Sequence, residues 1–141
     1  MRALLALAVM SAAGPWTASA QNDPNMSCVE RLRMPLYPRL AQAARISGSV
    51  MATATLASDG SVQKTEFEFG EATATARRLF SAAIEQALRR SAFKKNCGSK
   101  LVQLVFHFVL GQELDPDNPQ SVTFGYPNQF WILTPPQVVQ P

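Results

Sequence analysis

A change in hydrophobic period along residues 50–91 most constrains the fold of this chain. From Val50 to Leu56 the side chains alternate with a period of two, and VQKTEFEF at residues 62–69 alternates again, with Lys64, Glu66 and Glu68 on one face. Asp59 and Gly60 lie between the two runs and have the composition of a hairpin turn, in which glycine can adopt a positive φ. The sequence therefore predicts an antiparallel hairpin with one apolar and one solvated face.

A helical period follows from Thr75 to about Ser91. Thr73 or Thr75 can provide the N-cap. Because a two-stranded hairpin alone is only marginally stable, we expect this helix to lie on the sheet. Its apolar stripe recurs at helical spacing and comprises Ala76, Leu79, Phe80, Ala83, Ile84, Ala87 and Leu88.

The remaining elements complete an α+β fold. A short helix begins near Pro38 and ends before Gly48, and LVQLVFHFVL at residues 101–110 is a third strand. We expect a small antiparallel three-stranded sheet with helices on one face, in the order α-β-β-α-β, over residues 34–111. Residues 112–141 form an extension whose aromatic and β-branched residues alternate around Tyr126-Pro127-Asn128. We expect it to pack back on the domain as one or two short strands.

The N-terminal twenty residues have the pattern of a secretory signal peptide. Arg2 precedes an apolar run at residues 3–13, and Ala18-Ser19-Ala20 is a cleavage signal, so Ala20 and Gln21 flank the expected cut. The run is short for a membrane span, which needs about 20 residues. We expect an exported protein, periplasmic or secreted, with a lead-in at residues 21–33. An uncleaved anchor in the inner membrane is the alternative.

Two cysteines, Cys28 and Cys97, remain after cleavage. An even cysteine count in an oxidising compartment favours one disulfide between them. Loss of Arg2 would leave 12 basic against 10 acidic residues, from 13 and 10 in the full chain. This net charge is small and the charged residues are spread along the chain, so they do not form the basic patch that nucleic acids bind. We therefore expect no nucleic-acid partner.

The sequence offers no catalytic or cofactor site. His107 is the only histidine, and there is no glycine-rich phosphate loop, nucleophile elbow or metal-ligand cluster. Glu66 and Glu68 are better interpreted as neighbours on a solvated strand face than as an acid/base pair. We therefore expect no enzyme activity, no metal, no cofactor and no small-molecule substrate.

The order of these elements resembles that of the TonB C-terminal domain family. Pro35-Leu36-Tyr37-Pro38 with Ala41, Ala44 and Gly48, then the Asp59-Gly60 hairpin, fit the opening of that domain. Residues 87–93, before a glycine-containing loop and an apolar last strand, fit its end. The likeness covers about residues 34–110. The order and spacing of the motifs carry it, since no single motif is diagnostic.

The resemblance implies a periplasmic function in energy-dependent transmembrane transport. Domains of this family bind the TonB box, an extended peptide near the N-terminus of an outer-membrane transporter, by strand addition to an exposed sheet edge. A transporter peptide, or another extended peptide, is therefore the expected partner. The peptide-binding residues implied by this likeness are Pro35, Tyr37, Pro38, Leu101, Gln103, Val105, His107 and Val109.

The chain departs from a full energy transducer in two ways. Its export segment looks cleavable, and only about 15 residues separate that segment from the Tyr-Pro region, so a long spacer is missing. A structural or assembly module without a transport role is therefore the alternative. In it, the tail at residues 121–134 would cover the sheet edge in cis, or pair with a second copy in a homodimer through the edge.

Overall fold

The computed structural model describes residues 24–111 and 120–137. The predicted signal peptide, the cleavage site between Ala20 and Gln21, and residues 112–119 of the extension lie outside these ranges. Within them, no helix combines the length and the apolar character that a membrane crossing requires.

Within the described residues, two α-helices and seven strands include the predicted elements in the predicted order, with two further short strands, one before the first helix and one after the second. The helices are α1 (Arg39–Ala43) and α2 (Ala74–Arg89). The strands are β1 (Val29–Arg31), β2 (Gly48–Leu56), β3 (Val62–Phe69), β4 (Ala92–Phe93), β5 (Leu101–Leu110), β6 (Ser121–Gly125) and β7 (Gln129–Thr134).

Five of the strands form one mixed sheet in the order β3-β2-β5-β7-β6. β2 lies between β3 and β5 and is antiparallel to both, as the α-β-β-α-β prediction requires. The C-terminal hairpin β6–β7 adds two strands, and β7 runs parallel to β5. The predicted α+β class and element order are confirmed. The sheet has five strands because the extension joins it.

The hairpin between β2 and β3 turns at Asp59 and Gly60. Asp59 Oδ1 accepts from the backbone N–H of Ser61 at 2.9 Å and from its hydroxyl at 2.6 Å, which closes the turn. Gly60 has φ +86, and a Cβ there would lie 2.6 Å from the carbonyl oxygen of Phe93. Both the backbone conformation and the close approach therefore require glycine.

Helix α2 begins where the sequence predicts. Its N-cap is Thr73, whose hydroxyl accepts from the backbone N–H of Ala76 at 3.1 Å. Phe80 is buried on the sheet-facing side and stacks on Phe108 of β5, with ring centroids 4.3 Å apart. Helix and sheet thus share one core, and the helix covers the face that the strand pattern marks as apolar.

A disulfide joins Cys28 to Cys97, 69 residues apart, with Cα atoms 5.8 Å from each other. It connects the lead-in to the turn before β5, as expected. Next to it, β1 pairs with β4 in a separate two-stranded sheet. The sequence pattern predicts neither strand, because two or three residues are too few to display a period.

Candidate functional site

Alternate residues of β5 form the predicted peptide-binding row. One side of β5 pairs with β2 along its length from Leu101 to Phe108. The other side is the edge that a strand-adding peptide would need. In the structure other parts of the chain lie against it.

The lead-in and Asn128 cover the first half of this edge. The carbonyl of Leu101 accepts from Asn25 Nδ2 at 2.7 Å. The backbone N–H of Gln103 donates to the carbonyl of Pro24 at 3.1 Å. The carbonyl of Gln103 accepts from Asn128 Nδ2 at 2.9 Å. Both outward backbone groups of Gln103 are therefore satisfied within the chain.

Strand β7 covers the second half. The backbone N–H of Val105 donates to the carbonyl of Asn128 at 2.9 Å, and the parallel pairing then continues to the end of β5. His107 lies in register with Trp131, and Val109 with Leu133. The edge that the resemblance would leave open is thus occupied by the chain itself. The peptide-binding roles given to this row stay predictions.

Tyr37 is part of the core. It is only 6% exposed, and its ring meets those of Phe80 and Phe108 edge-on, with centroids 6.1 and 5.5 Å away. Its hydroxyl donates to the carbonyl of Ile46. Burial disfavours the phenolate and raises the pKa of Tyr37 to about 12. The Tyr37 side chain therefore anchors the segment before α1 and offers little surface to a peptide.

The C-terminal segment also holds the backbone around Tyr37. The N–H of Tyr37 donates to Gln120 Oε1 at 2.9 Å, and Gln120 Nε2 donates to the carbonyl of Pro35 at 3.2 Å. Pro38 is the half-buried residue that precedes α1. Both parts of the predicted site, the Pro35–Pro38 region and the β5 edge, thus contact residues 120–134.

Helix α1 is tied to the end of β7. Gln42 Nε2 donates to the hydroxyl of Thr134 at 3.3 Å and to the carbonyl of Pro135. Gln42, Gln120 and Asn128 are the residues that sequence reasoning missed. Single amides carry no periodic signal, so nothing in the sequence distinguishes them from solvated side chains.

The hairpin is held by its apolar face. Phe130 and Ile132 are 7% and 0% exposed, and Phe130 stacks on Phe106 with ring centroids 5.7 Å apart. Burial of one such side chain stabilises a fold by about 1.5–3 kcal/mol. Separating β7 from β5 would therefore cost roughly 3–6 kcal/mol of burial free energy from these two side chains alone.

His107 joins three strands across the face that no described helix covers. Nδ1 lies 2.7 Å from the Ser49 hydroxyl and Nε2 lies 2.9 Å from Gln129 Oε1, while the ring stacks on Trp131 at 4.7 Å. These contacts link β2, β5 and β7 in one cross-strand network. Among residues 24–111 and 120–137, no three or more His, Cys, Asp or Glu side chains gather as a metal site.

The two outer edges of the sheet differ in character. β3 carries Lys64, Glu66 and Glu68, and Lys64 pairs with Glu66 at 2.7 Å on the exposed face. Charges on an edge strand discourage pairing with another chain. β6 has no charged residue, and Val122 and Phe124 are 42% and 56% exposed. Of the two edge strands described for this sheet, β6 is thus the one with an uncharged, partly apolar surface.

These features define an α+β domain with helices on one face of a sheet that its own C-terminal hairpin completes. No protein-family model matches the chain, and a comparison with curated proteins finds no match. Among solved structures it is similar to the solution NMR structure of the Pseudomonas aeruginosa TonB CTD. The two are 28% identical over 64% of this chain and 94% of that chain, with a TM-score of 0.44. A TM-score below 0.5 is too low to establish a shared fold or family.

Proposed function

We propose that this protein is an exported, TonB-like binding module and not an enzyme. Its partner is an extended peptide such as the N-terminal TonB box of an outer-membrane transporter. Through this binding the protein takes part in energy-dependent transport. The α-β-β-α-β order and the motifs from Pro35 to Gly60 support this proposal. The disulfide between Cys28 and Cys97 fits an oxidising compartment outside the cytoplasm.

The outer edge of β6 is the peptide-accepting edge in this proposal. The observation that carries it is the pairing of β5 with β7, which leaves β6 at the end of the sheet. In the described ranges no strand lies on the outer side of β6. Strand addition needs such a row of backbone groups, with flanking apolar side chains such as Val122 and Phe124 for contact.

Binding at β5 would be much weaker. A peptide there must first displace β7, at a cost of roughly 3–6 kcal/mol from Phe130 and Ile132. A micromolar complex corresponds to about −8.2 kcal/mol, so this cost would remove a large part of the affinity. The β6 edge demands no such displacement.

An NMR titration of the oxidised protein with transporter N-terminal peptides tests the proposal. We expect amide shifts in Ser121–Gly125 and small shifts in Leu101–Leu110. Thr123→Lys places a charge on the β6 edge and should weaken binding about tenfold or more, because an edge charge opposes pairing. Gln63→Lys is the matched control, since it adds the same charge to an exposed position of the opposite edge strand. Equal effects of the two variants on affinity would refute peptide binding at the β6 edge.

A second candidate function is a structural or assembly module without a transport role. The cis pairing of β5 with β7 favours it, because the edge that resembles a peptide site is already closed. Under this hypothesis no transporter peptide shifts any resonance. If Ser121–Gly125 pairs with a second copy, the protein sediments as a dimer that Thr123→Lys dissociates and Gln63→Lys does not.

A further inference from the structure

A groove runs between the segment before α1 and one face of helix α2. Its volume is about 580 Å³. One wall is the non-helical stretch at residues 33–36, and the other is the C-terminal half of α2. The helical wall is lined by Ala83, Gln86, Ala87 and Arg90.

The shape of the groove suits a short extended chain. Ala83, Gln86, Ala87 and Arg90 recur at the spacing of one helix face, so the helical wall is about 10 Å long at 1.5 Å per residue. About three residues of an extended chain span that length. Met34 is half-buried and Leu36 is 74% exposed, so these two side chains give the groove an apolar surface that can contact an aliphatic side chain.

The charge of the groove is positive. Arg33 and Arg90 are both exposed, and none of the described residues that line the groove is acidic. The backbone N–H of Arg33 donates to the Ser91 hydroxyl at 2.9 Å, which places Arg33 beside the helix end that carries Arg90. Two guanidinium groups outweigh the partial charge of about −0.5 at a helix C-terminus.

Neither arginine is neutralised by a neighbour in the described ranges. The ion pairs there are Lys64 with Glu66, and Arg89 with Glu85 at 2.9 Å. Arg89, the immediate neighbour of Arg90, is therefore engaged along its own helix. Among the described residues, no carboxylate is therefore paired with Arg33 or Arg90.

We propose that this groove binds a short acidic segment of a partner protein. Carboxylates flanking an aliphatic residue would pair with Arg33 and Arg90, and the aliphatic side chain would lie against Met34 and Leu36. Arginine suits this role because its planar guanidinium binds carboxylates through two parallel hydrogen bonds. The site is separate from the β6 edge and does not depend on strand addition there.

The test uses the oxidised protein and the peptide Gly-Asp-Leu-Glu-Gly-amide, with fluorescein coupled to its N-terminal amine, near physiological salt. The matched peptide carries Asn and Gln in place of Asp and Glu. Arg33→Gln with Arg90→Gln removes the two charges. The control is Arg78→Gln, an exposed position of α2 that does not line the groove. Binding is measured by anisotropy and mapped by amide shifts.

We expect the acidic peptide to shift the amides of Ala83 and Ala87, and the neutral peptide to bind more weakly. The double variant should lose about fivefold to tenfold in affinity, as two exposed ion pairs allow, and Arg78→Gln should lose less than about twofold. Three results would overturn the proposal. These are no binding of the acidic peptide, equal binding of both peptides, or an equal loss in Arg78→Gln and the double variant.

Discussion

Phe106 of β5 and Phe130 of β7 stack across the parallel strand pair, with ring centroids 5.7 Å apart and planes inclined by 28°. The first residue belongs to the predicted domain and the second to the predicted extension. Their contact makes the C-terminal hairpin part of the hydrophobic core. The strand that closes the β5 edge is therefore anchored in the core by the Phe130 side chain.

Phe130→Ala should destabilise the protein by about 3–5 kcal/mol, because it removes a buried ring and leaves a cavity. Phe124→Ala is the matched control on the neighbouring strand. Phe124 is 56% exposed, so we expect a loss below about 1 kcal/mol. Guanidinium unfolding with the disulfide intact measures both. Similar small losses in the two variants would contradict a hairpin packed into the core.

Reduction of the disulfide between Cys28 and Cys97 should lower the free energy of unfolding by about 4 kcal/mol, since the bond closes a long loop in the unfolded chain. Urea unfolding with and without reductant measures the difference. The Cys28→Ser/Cys97→Ser variant should match the reduced protein and should not respond to reductant. An unchanged midpoint on reduction would show that the bridge adds no stability.

Gly60→Ala should destabilise the turn between β2 and β3 by about 1–3 kcal/mol, because a positive φ is unfavourable for alanine. The new Cβ would also meet the carbonyl oxygen of Phe93 at 2.6 Å. Gly111→Ala is the control, since its Cβ would lie 3.8 Å from the Leu133 side chain, an ordinary contact. Thermal unfolding should separate the two variants. Equal melting temperatures would argue against the strained position.

The buried phenol of Tyr37 predicts a pH dependence above pH 10. The pKa of Tyr37 is raised from 10.0 to about 12 in the folded protein, so the unfolded chain releases its proton first. Stability from this group is therefore complete below pH 10 and is lost as the pH rises towards 12.

Tyr37→Phe lacks both the titration and the hydrogen bond to Ile46. At pH 7 it should be less stable than the unaltered protein by about 0.5–1.5 kcal/mol. That difference should shrink between pH 10 and 12, which chemical denaturation at several pH values can follow. A constant difference over this range would contradict the raised pKa.

The sequence predicts which helices and strands form, but it does not predict reliably which strand edges stay unpaired. The hairpin at Asp59 and Gly60 and the helix capped by Thr73 are predictable because each leaves a period or a turn motif in the local sequence. The sequence yields the pairing of β5 with the C-terminal tail only as an alternative, since its register depends on contacts between residues some 25 positions apart, such as Asn128 with Gln103. The resemblance predicts an open edge at β5, which in the structure pairs with β7, whereas the alternative of a tail that covers this edge in cis agrees with the structure.

Amide hydrogen exchange at Val105 in the oxidised protein tests the central claim most directly. Its N–H donates to the carbonyl of Asn128 at 2.9 Å, on the side of β5 that a peptide would use. If the hairpin closes this edge, Val105 should exchange as slowly as the core amides of β2, within about tenfold, because both open only with the fold. Exchange near the rate of an exposed loop, with the β2 amides still protected, would show that the edge is open and contradict the account.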